Sequence, residues 1–270
     1  MATILRQGSR GEGVKRIQLA LIKAGYALEA DGIYGQKTAD AVAAFQRGAG
    51  LKADSIVGPV TMERLMAEAP ATEGDIEITD GHINQHITFS AWRPLKYIAI
   101  HSTSGSSSRR GMAMQNRGVF LKKPSSADFV VDDETVVQVN PDPMNYYCWA
   151  VGDKKNPYGG GGTLYGKATN KNTISIEICS TLAQGTTDSE PNHDGWSFTE
   201  KVLDRALLLV RRLMREYGIP KENVVRHYDI SGKACPGIPG WNDAALYTTA
   251  GKITSDRNDS REWEKFKAAL

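Results

Sequence analysis

Ile174-Ser175-Ile176-Glu177-Ile178 (residues 174–178) alternates apolar and polar side chains with a period of two. That period is a β-strand's: it turns three isoleucines to one face and Ser175, Glu177 and the following Cys179 to the other. A carboxylate on a strand face is costly unless it has a partner or chemistry to perform. Similar Val- and Ile-rich or alternating runs lie at Lys96 to Ser102, Asp128 to Asp132, Thr135 to Asn140 and Asn223 to His227. They predict further strands. Thr199 to Tyr217 places Val202, Ala206, Leu209, Leu213 and Tyr217 on one helical face. Ser197 and Glu200 have capping-box spacing, and Gly218 with Pro220 closes the end. Strands mixed with helices predict an α/β unit over residues 81–270.

The first 68 residues read differently. Val14, Ile17, Leu21 and Ala24 recur at helical spacing before Gly25, and Thr38 to Gln46 carries Val42 and Phe45 on one face. A third short helix is expected from Pro59, burying Leu65. The segment echoes itself, since Asp31-Gly32-Ile33-Tyr34-Gly35-Gln36-Lys37-Thr38 returns as Asp54-Ser55-Ile56-Val57-Gly58-Pro59-Val60-Thr61. Val14-x-x-Ile17-Gln18 likewise returns as Val42-x-x-Phe45-Gln46, setting a Gln beside each buried face. A small three-helix domain over residues 1–68 with a duplicated turn-to-helix device follows. Residues 69–80, with Pro70 and little periodicity, read as a linker.

Charge and composition exclude several classes. With 33 Lys and Arg against 31 Asp and Glu the net charge is +2, and no basic run is longer than a pair such as Arg109-Arg110. That is no footprint for nucleic acid. The longest apolar stretches, such as Ala206 to Val210, fall far short of the roughly 20 residues of a membrane span. No secretory signal is visible at Met1 to Gly8, so synthesis and folding in a cytoplasm are expected. Three widely spaced cysteines, Cys148, Cys179 and Cys235, argue against a disulfide framework. Cys148 and Cys179 read as buried small apolar residues.

Two histidines end strand patterns: His101 after Tyr97-Ile98-Ala99-Ile100, and His227 after Val224-Val225-Arg226. Cys235 follows His227 in Gly232-Lys233-Ala234-Cys235-Pro236-Gly237, on a loop able to return it. Zinc accepts imidazole and thiolate, and catalytic sites use three protein ligands. On spacing alone, a satisfied core histidine or a Cys235 nucleophile beside His227 remain alternatives. For Glu177 the alternative is a salt bridge, and for Lys233 a solvated loop lysine. His82, His86 and His193 read as surface or linker residues.

Ile98-Ala99-Ile100-His101-Ser102-Thr103, Ser175-Ile176-Glu177-Ile178-Cys179 and His227-Tyr228-Asp229-x-x-Gly232-Lys233-x-Cys235-Pro236-Gly237 together resemble the zinc-dependent N-acetylmuramoyl-L-alanine amidases that share the fold of peptidoglycan-recognition proteins. The likeness spans about residues 90–245 and extends to phage endolysins. It implies a mixed central β-sheet flanked by helices, Zn2+ held by His101, His227 and Cys235, catalysis by Glu177, and Lys233 at the substrate carbonyl. Leu5-x-x-Gly8, Gly11-x-x-Val14, the two turn copies and Phe45-Gln46 with Gly50-Leu51 resemble a small peptidoglycan-binding domain, departing at Ser55, where glycine is usual and a looser turn is expected.

The resemblance implies a peptidoglycan hydrolase cleaving between N-acetylmuramic acid and L-alanine. It would act as a monomer on the cell wall after release from the cytoplasm. A non-catalytic wall-recognition protein, an autolysin and an antibacterial effector are the rivals. The intact ligand set disfavours the first. Some members carry a Tyr where Ala127 and Asp128 stand here, leaving the proton chemistry to Glu177. Many carry a His where this chain has Trp149-Ala150-Val151-Gly152. The irregular stretch Lys154 to Asn172 reads as a long surface loop, and a helix is expected from Ser260 in the tail.

Overall fold

The structure is a computed structural model that describes residues 4–68, 76–103, 112–152, 162–183, 195–242 and 260–270. The N-terminal module holds α1 (Glu12–Lys23), α2 (Gln36–Gly48) and α3 (Pro59–Glu68). Val14, Ile17, Leu21, Val42, Phe45 and Leu65 form its core, as the helical spacing requires.

The duplicated device is a pair of glutamine staples. Gln18 Nε2 donates to Asp31 Oδ1, the Ile33 carbonyl and Thr38 Oγ1, while its Oε1 accepts from Gly32 N. Gln46 repeats this on Asp54, the Ile56 carbonyl, Thr61 and Ser55 N. Both glutamines are 1% exposed. The turn at Ser55 is not looser: Ser55 takes φ 57°, close to the 73° of Gly32, and the staple closes it with the same set of bonds.

The second unit is built on a six-stranded mixed sheet. Its strands are β1 (Ile78–Asp80), β3 (Tyr97–Ser102), β4 (Phe129–Val131), β5 (Val136–Gln138), β7 (Thr173–Ile178) and β10 (Val224–Arg226), in the order β1-β5-β4-β7-β3-β10. All neighbours are parallel except β4 and β5. Two small antiparallel pairs lie outside it: β2 (Ile87–Phe89) with β6 (Tyr146–Cys148), and β8 (Thr181–Leu182) with β9 (Trp196–Ser197).

Helix α5 (Glu200–Tyr217) covers one face of the sheet, on Ile98, Ile100, Ile174, Ile176 and Ile178. Each such side chain contributes about 1.5–3 kcal/mol on burial. Helix α4 (Met112–Phe120) covers the other face through Ala113 and Phe120. Near the sheet's edge α6 (His227–Ser231) follows β10 directly, and α7 (Arg261–Ala268) buries Trp263 and Phe266 against Trp241.

Four further expectations change. The end of the expected linker is a strand, since Ile78 to Asp80 pairs with β5. His227 starts a helix rather than ending a strand. Thr199, not Ser197, caps α5, its hydroxyl accepting from Val202 N, because Ser197 is engaged in β9. The expected long loop includes a 3-10 turn at Asn170–Asn172, and residues 153–161 lie outside the described residues, as does His193.

Sequence reading missed a structural hub. Arg93, fully buried, donates to the carbonyls of Pro143, Tyr146, Asn170, Lys171 and Thr173 and lies 3.6 Å from Asp128 Oδ1. Asp128 in turn accepts from Ser175 N and Asn140 Nδ2. This network ties the loop before β3 to the loops before β6 and β7.

Candidate metal centre and its neighbours

Parallel strands deliver the site side chains to their carboxyl ends, where open α/β sheets bind ligands. His101 is the fifth residue of β3, Glu177 the fifth of β7, and the two are register partners on adjacent strands. His227 follows β10, the neighbour of β3 on its other side. Gly232, at φ 79°, ends α6 and turns the chain back. The returning loop is pinned by Tyr228 N donating to the Cys235 carbonyl and Gly237 N to Ser102 Oγ.

His101, His227 and Cys235 are thereby brought together, each offering a ligand atom within 4.8 Å of the others. Cys235 Sγ lies 3.8 Å from His101 Nδ1, and the two imidazole rings are 4.7 Å apart. Tetrahedral ligands at about 2.0–2.3 Å from a metal stand about 3.3–3.8 Å apart, so this set is close to the size a metal needs. His101 Nε2 and His227 Nδ1 are buried without a hydrogen-bond partner. His227 Nε2 is engaged 3.1 Å from the Val151 carbonyl. That contact fixes the tautomer that leaves Nδ1 with a free lone pair, as an outer-shell carbonyl does for a metal-binding histidine.

The electrostatics point the same way. Burial, then the charges of His227 and Lys233, holds His101 well below the usual histidine range. Burial and Lys233 bring His227 down to about 4. Burial, reinforced by Glu177, pushes the Cys235 thiol up to about 12. These are neutral donors in a buried site, and a divalent cation would reverse the balance for the thiol by deprotonating it. The donor set fits a metal of borderline softness.

Glu177 is half-buried, and its Oε2 is shielded with no hydrogen-bond partner. Burial pushes its carboxyl up to about 7 against the pull of Lys233. A carboxyl so tuned can take up and release a proton near neutral pH. Lys233 is exposed, two residues before Cys235, and its charge acts on both imidazoles, the thiol and Glu177. Thus all five residues singled out in the sequence gather at one end of the sheet.

The Val151 carbonyl and the Ser102 hydroxyl were not foreseen. The position of Val151 between β6 and β7 gave no signal, because a backbone oxygen has none. Cys148 and Cys179 are buried as expected, Cys179 accepting from Asn116 Nδ2. His82 pairs with Asp80 at 3.0 Å. His86 is more than a surface residue, since its Nδ1 lies 2.6 Å from the Phe120 carbonyl and its ring meets Trp149. Among the described residues no helix is long and apolar enough to cross a membrane.

Residues 10–65 match the family described as a putative peptidoglycan binding domain, and residues 91–238 match N-acetylmuramoyl-L-alanine amidase. Among curated relatives, the N-acetylmuramoyl-L-alanine amidase CwlH of Bacillus subtilis (strain 168) is 33% identical over 151 residues, 54% of this chain and 50% of that protein. The amidase XlyA of the same organism is 46% identical over 149 residues, 54% of this chain and 40% of that one. The chain thus spans about half the length, or less, of these relatives. Of solved structures, a mutant endolysin from Bacillus subtilis is 25% identical with a TM-score of 0.45, covering 72% of this chain and 98% of its own. Because the amidase match runs through β3, β7, β10 and the Cys235 loop and takes in more than half of the residues, the chain belongs to the N-acetylmuramoyl-L-alanine amidase family.

Proposed function

We propose that the chain is a zinc-dependent N-acetylmuramoyl-L-alanine amidase, hydrolysing the amide that joins the lactyl group of muramic acid to L-alanine in bacterial peptidoglycan. The observation that carries this reading is the convergence of His101, His227 and Cys235 beside the partnerless Oε2 of Glu177. Residues 81–270 form the catalytic domain in this reading, residues 1–68 bind the wall, and 69–80 join them.

His101, His227 and Cys235 would hold the zinc, which supplies Lewis acidity and makes water nucleophilic near neutral pH. The Val151 carbonyl keeps the His227 ring in its ligating orientation. Glu177 accepts a proton at its carboxylate from the attacking water and returns it to the amide nitrogen as that nitrogen leaves. Its carboxyl, tuned to about 7, suits both halves of the task. Lys233 offsets the negative charge that grows on the carbonyl oxygen.

The N-terminal module raises the effective concentration of the site at an insoluble polymer without touching the scissile bond. The role that fits is that of a phage or prophage endolysin, made in the host cytoplasm and acting as a monomer on the wall once released. A suspension of purified peptidoglycan tests the reading. It should clear with the protein, stop clearing with a chelator, and clear again when zinc is restored. Clearing that ignores the chelator would refute the metal-dependent chemistry.

A further inference from the structure

The two modules meet at the end of the sheet opposite the histidine and cysteine cluster. Gly13 of α1 lies against the Trp92 ring, where an added Cβ would come within 2.7 Å of it. Arg16 reaches Glu216 at 3.5 Å and covers the Tyr217 ring at 5.0 Å. Trp92 precedes β3, Phe129 starts β4 and Tyr217 ends α5, so this junction flanks the amino ends of the parallel strands. The length of β3 sets it roughly 20 Å from the cluster.

Between the modules is a cleft of about 540 Å3, a size that takes small ligands. Its walls include polar groups, such as Gln138, Asn145 and Arg212, and the apolar side chains of Met62, Pro59 and Pro143. Both signs of charge are present, Arg16 and Arg212 against Glu216 and Asp142, so a net charge on the ligand is not favoured. Two of the lining residues, one from each module, have an N–H with no acceptor: Arg16 Nε and Trp92 Nε1. Buried donors are rarely left so, and each one calls for an explanation. Both atoms are shielded in this packing, so a ligand carbonyl reaches them only where the wall side chains move aside.

We propose that this cleft is a second, non-catalytic binding site, for an N-acetylated amino sugar of a glycan strand. The acetamido oxygen answers the unpaired Arg16 and Trp92 donors, ring hydroxyls answer the carboxylates and amides, and the pyranose C–H face packs on Met62 and the prolines. The choice of a wall sugar rests on the peptidoglycan reading above, while the cleft and its unpaired donors do not. Gripping one glycan strand here leaves the metal end free to work on another.

The probe is chitotriose, a β-1,4 trimer of N-acetylglucosamine that has no lactyl group or peptide to cleave. Titrated into the full-length protein, it should shift the Trp92 indole N–H resonance saturably, the resonance being assigned by its loss in Trp92→Phe. The Trp241 and Trp263 indoles should not move. Affinity should fall at least fivefold in Trp92→Phe and in Arg16→Gln, both checked for folding by thermal melts. It should be unchanged in Cys235→Ser, which separates this site from the amidase reading. No saturable shift at Trp92, an affinity indifferent to both cleft variants in folded protein, or the same shift produced by an L-Ala-D-Glu dipeptide in place of the sugar would overturn the assignment.

Discussion

His101 and Glu177 stand side by side as register partners on the adjacent parallel strands β3 and β7. One residue offers a ring nitrogen to the cluster with His227 and Cys235, the other a carboxyl that burial pushes up to about 7, and the backbone ladder fixes their spacing. Neither side chain depends on a flexible loop for its placement, so the two functions can be removed separately.

Glu177→Ala should keep the fold and the zinc content while turnover falls by about 10²–10⁴-fold, the usual contribution of a positioned acid–base. Zinc content by elemental analysis and hydrolysis of a soluble muropeptide check this together. Parent-level turnover would remove Glu177 from the mechanism.

Cys235→Ser should lose zinc and activity in parallel. Loss of outer-shell partners alone weakens metal binding by about 10–100-fold, and loss of a ligand should cost at least that much. Full zinc occupancy in the variant, measured after dialysis, would show that Cys235 is not a ligand.

Arg93→Met should strongly destabilise the unit built on the six-stranded sheet. It frees five carbonyls and leaves Asp128 buried without its cation, a loss of about 3–5 kcal/mol. Urea unfolding measures it. Because burial already pushes the Asp128 carboxyl up, Asp128→Asn added to Arg93→Met should recover part of the loss. An equal midpoint for the parent and Arg93→Met would contradict the network.

In the N-terminal module Gln18→Leu and Gln46→Leu should each cost about 2–3 kcal/mol, since each strips one turn of a multiply bonded staple. The staples also imply a pH dependence. The backbone N–H groups of Ile33 and Ile56 hold the Asp31 and Asp54 carboxyls below their usual value of 3.8, with Gln18 and Gln46 assisting. A carboxyl with a depressed native pKa contributes stability above its unfolded pKa and loses it as pH falls through the native one. The module should therefore melt at lower temperature as pH drops below about 4, and Asp31→Asn with Asp54→Asn should flatten that dependence. A melting temperature equally acid-sensitive in the double variant would place the effect elsewhere.

Much of this was legible in the sequence, for definite reasons. The alternation around Glu177 and the 3.6-residue spacing of α5 are periodic signals over six or more residues, and both elements fall where those signals place them. The strands β1, β2 and β6 are three residues each and, unlike the equally short β4, β5 and β10, lie in no Val-rich run that would mark them. Arg93 was not singled out, because its partners are carbonyls 50 or more residues away, and carbonyls leave no mark in a sequence. The same holds for Val151 and His227, 76 residues apart. The clustering of His101, His227 and Cys235 was legible through the resemblance, because these are chemically distinctive side chains in ordered motifs. The cleft was not, since it is lined by residues far apart in the sequence.

The central claim is the bond that is cut, and mass spectrometry of purified peptidoglycan after digestion tests it most directly. Stem peptides released with a free L-alanine amino terminus, together with glycan chains that retain intact lactyl groups, are the expected products. New sugar reducing ends, cleavage within the peptide, or an intact wall with zinc bound to the protein would contradict it.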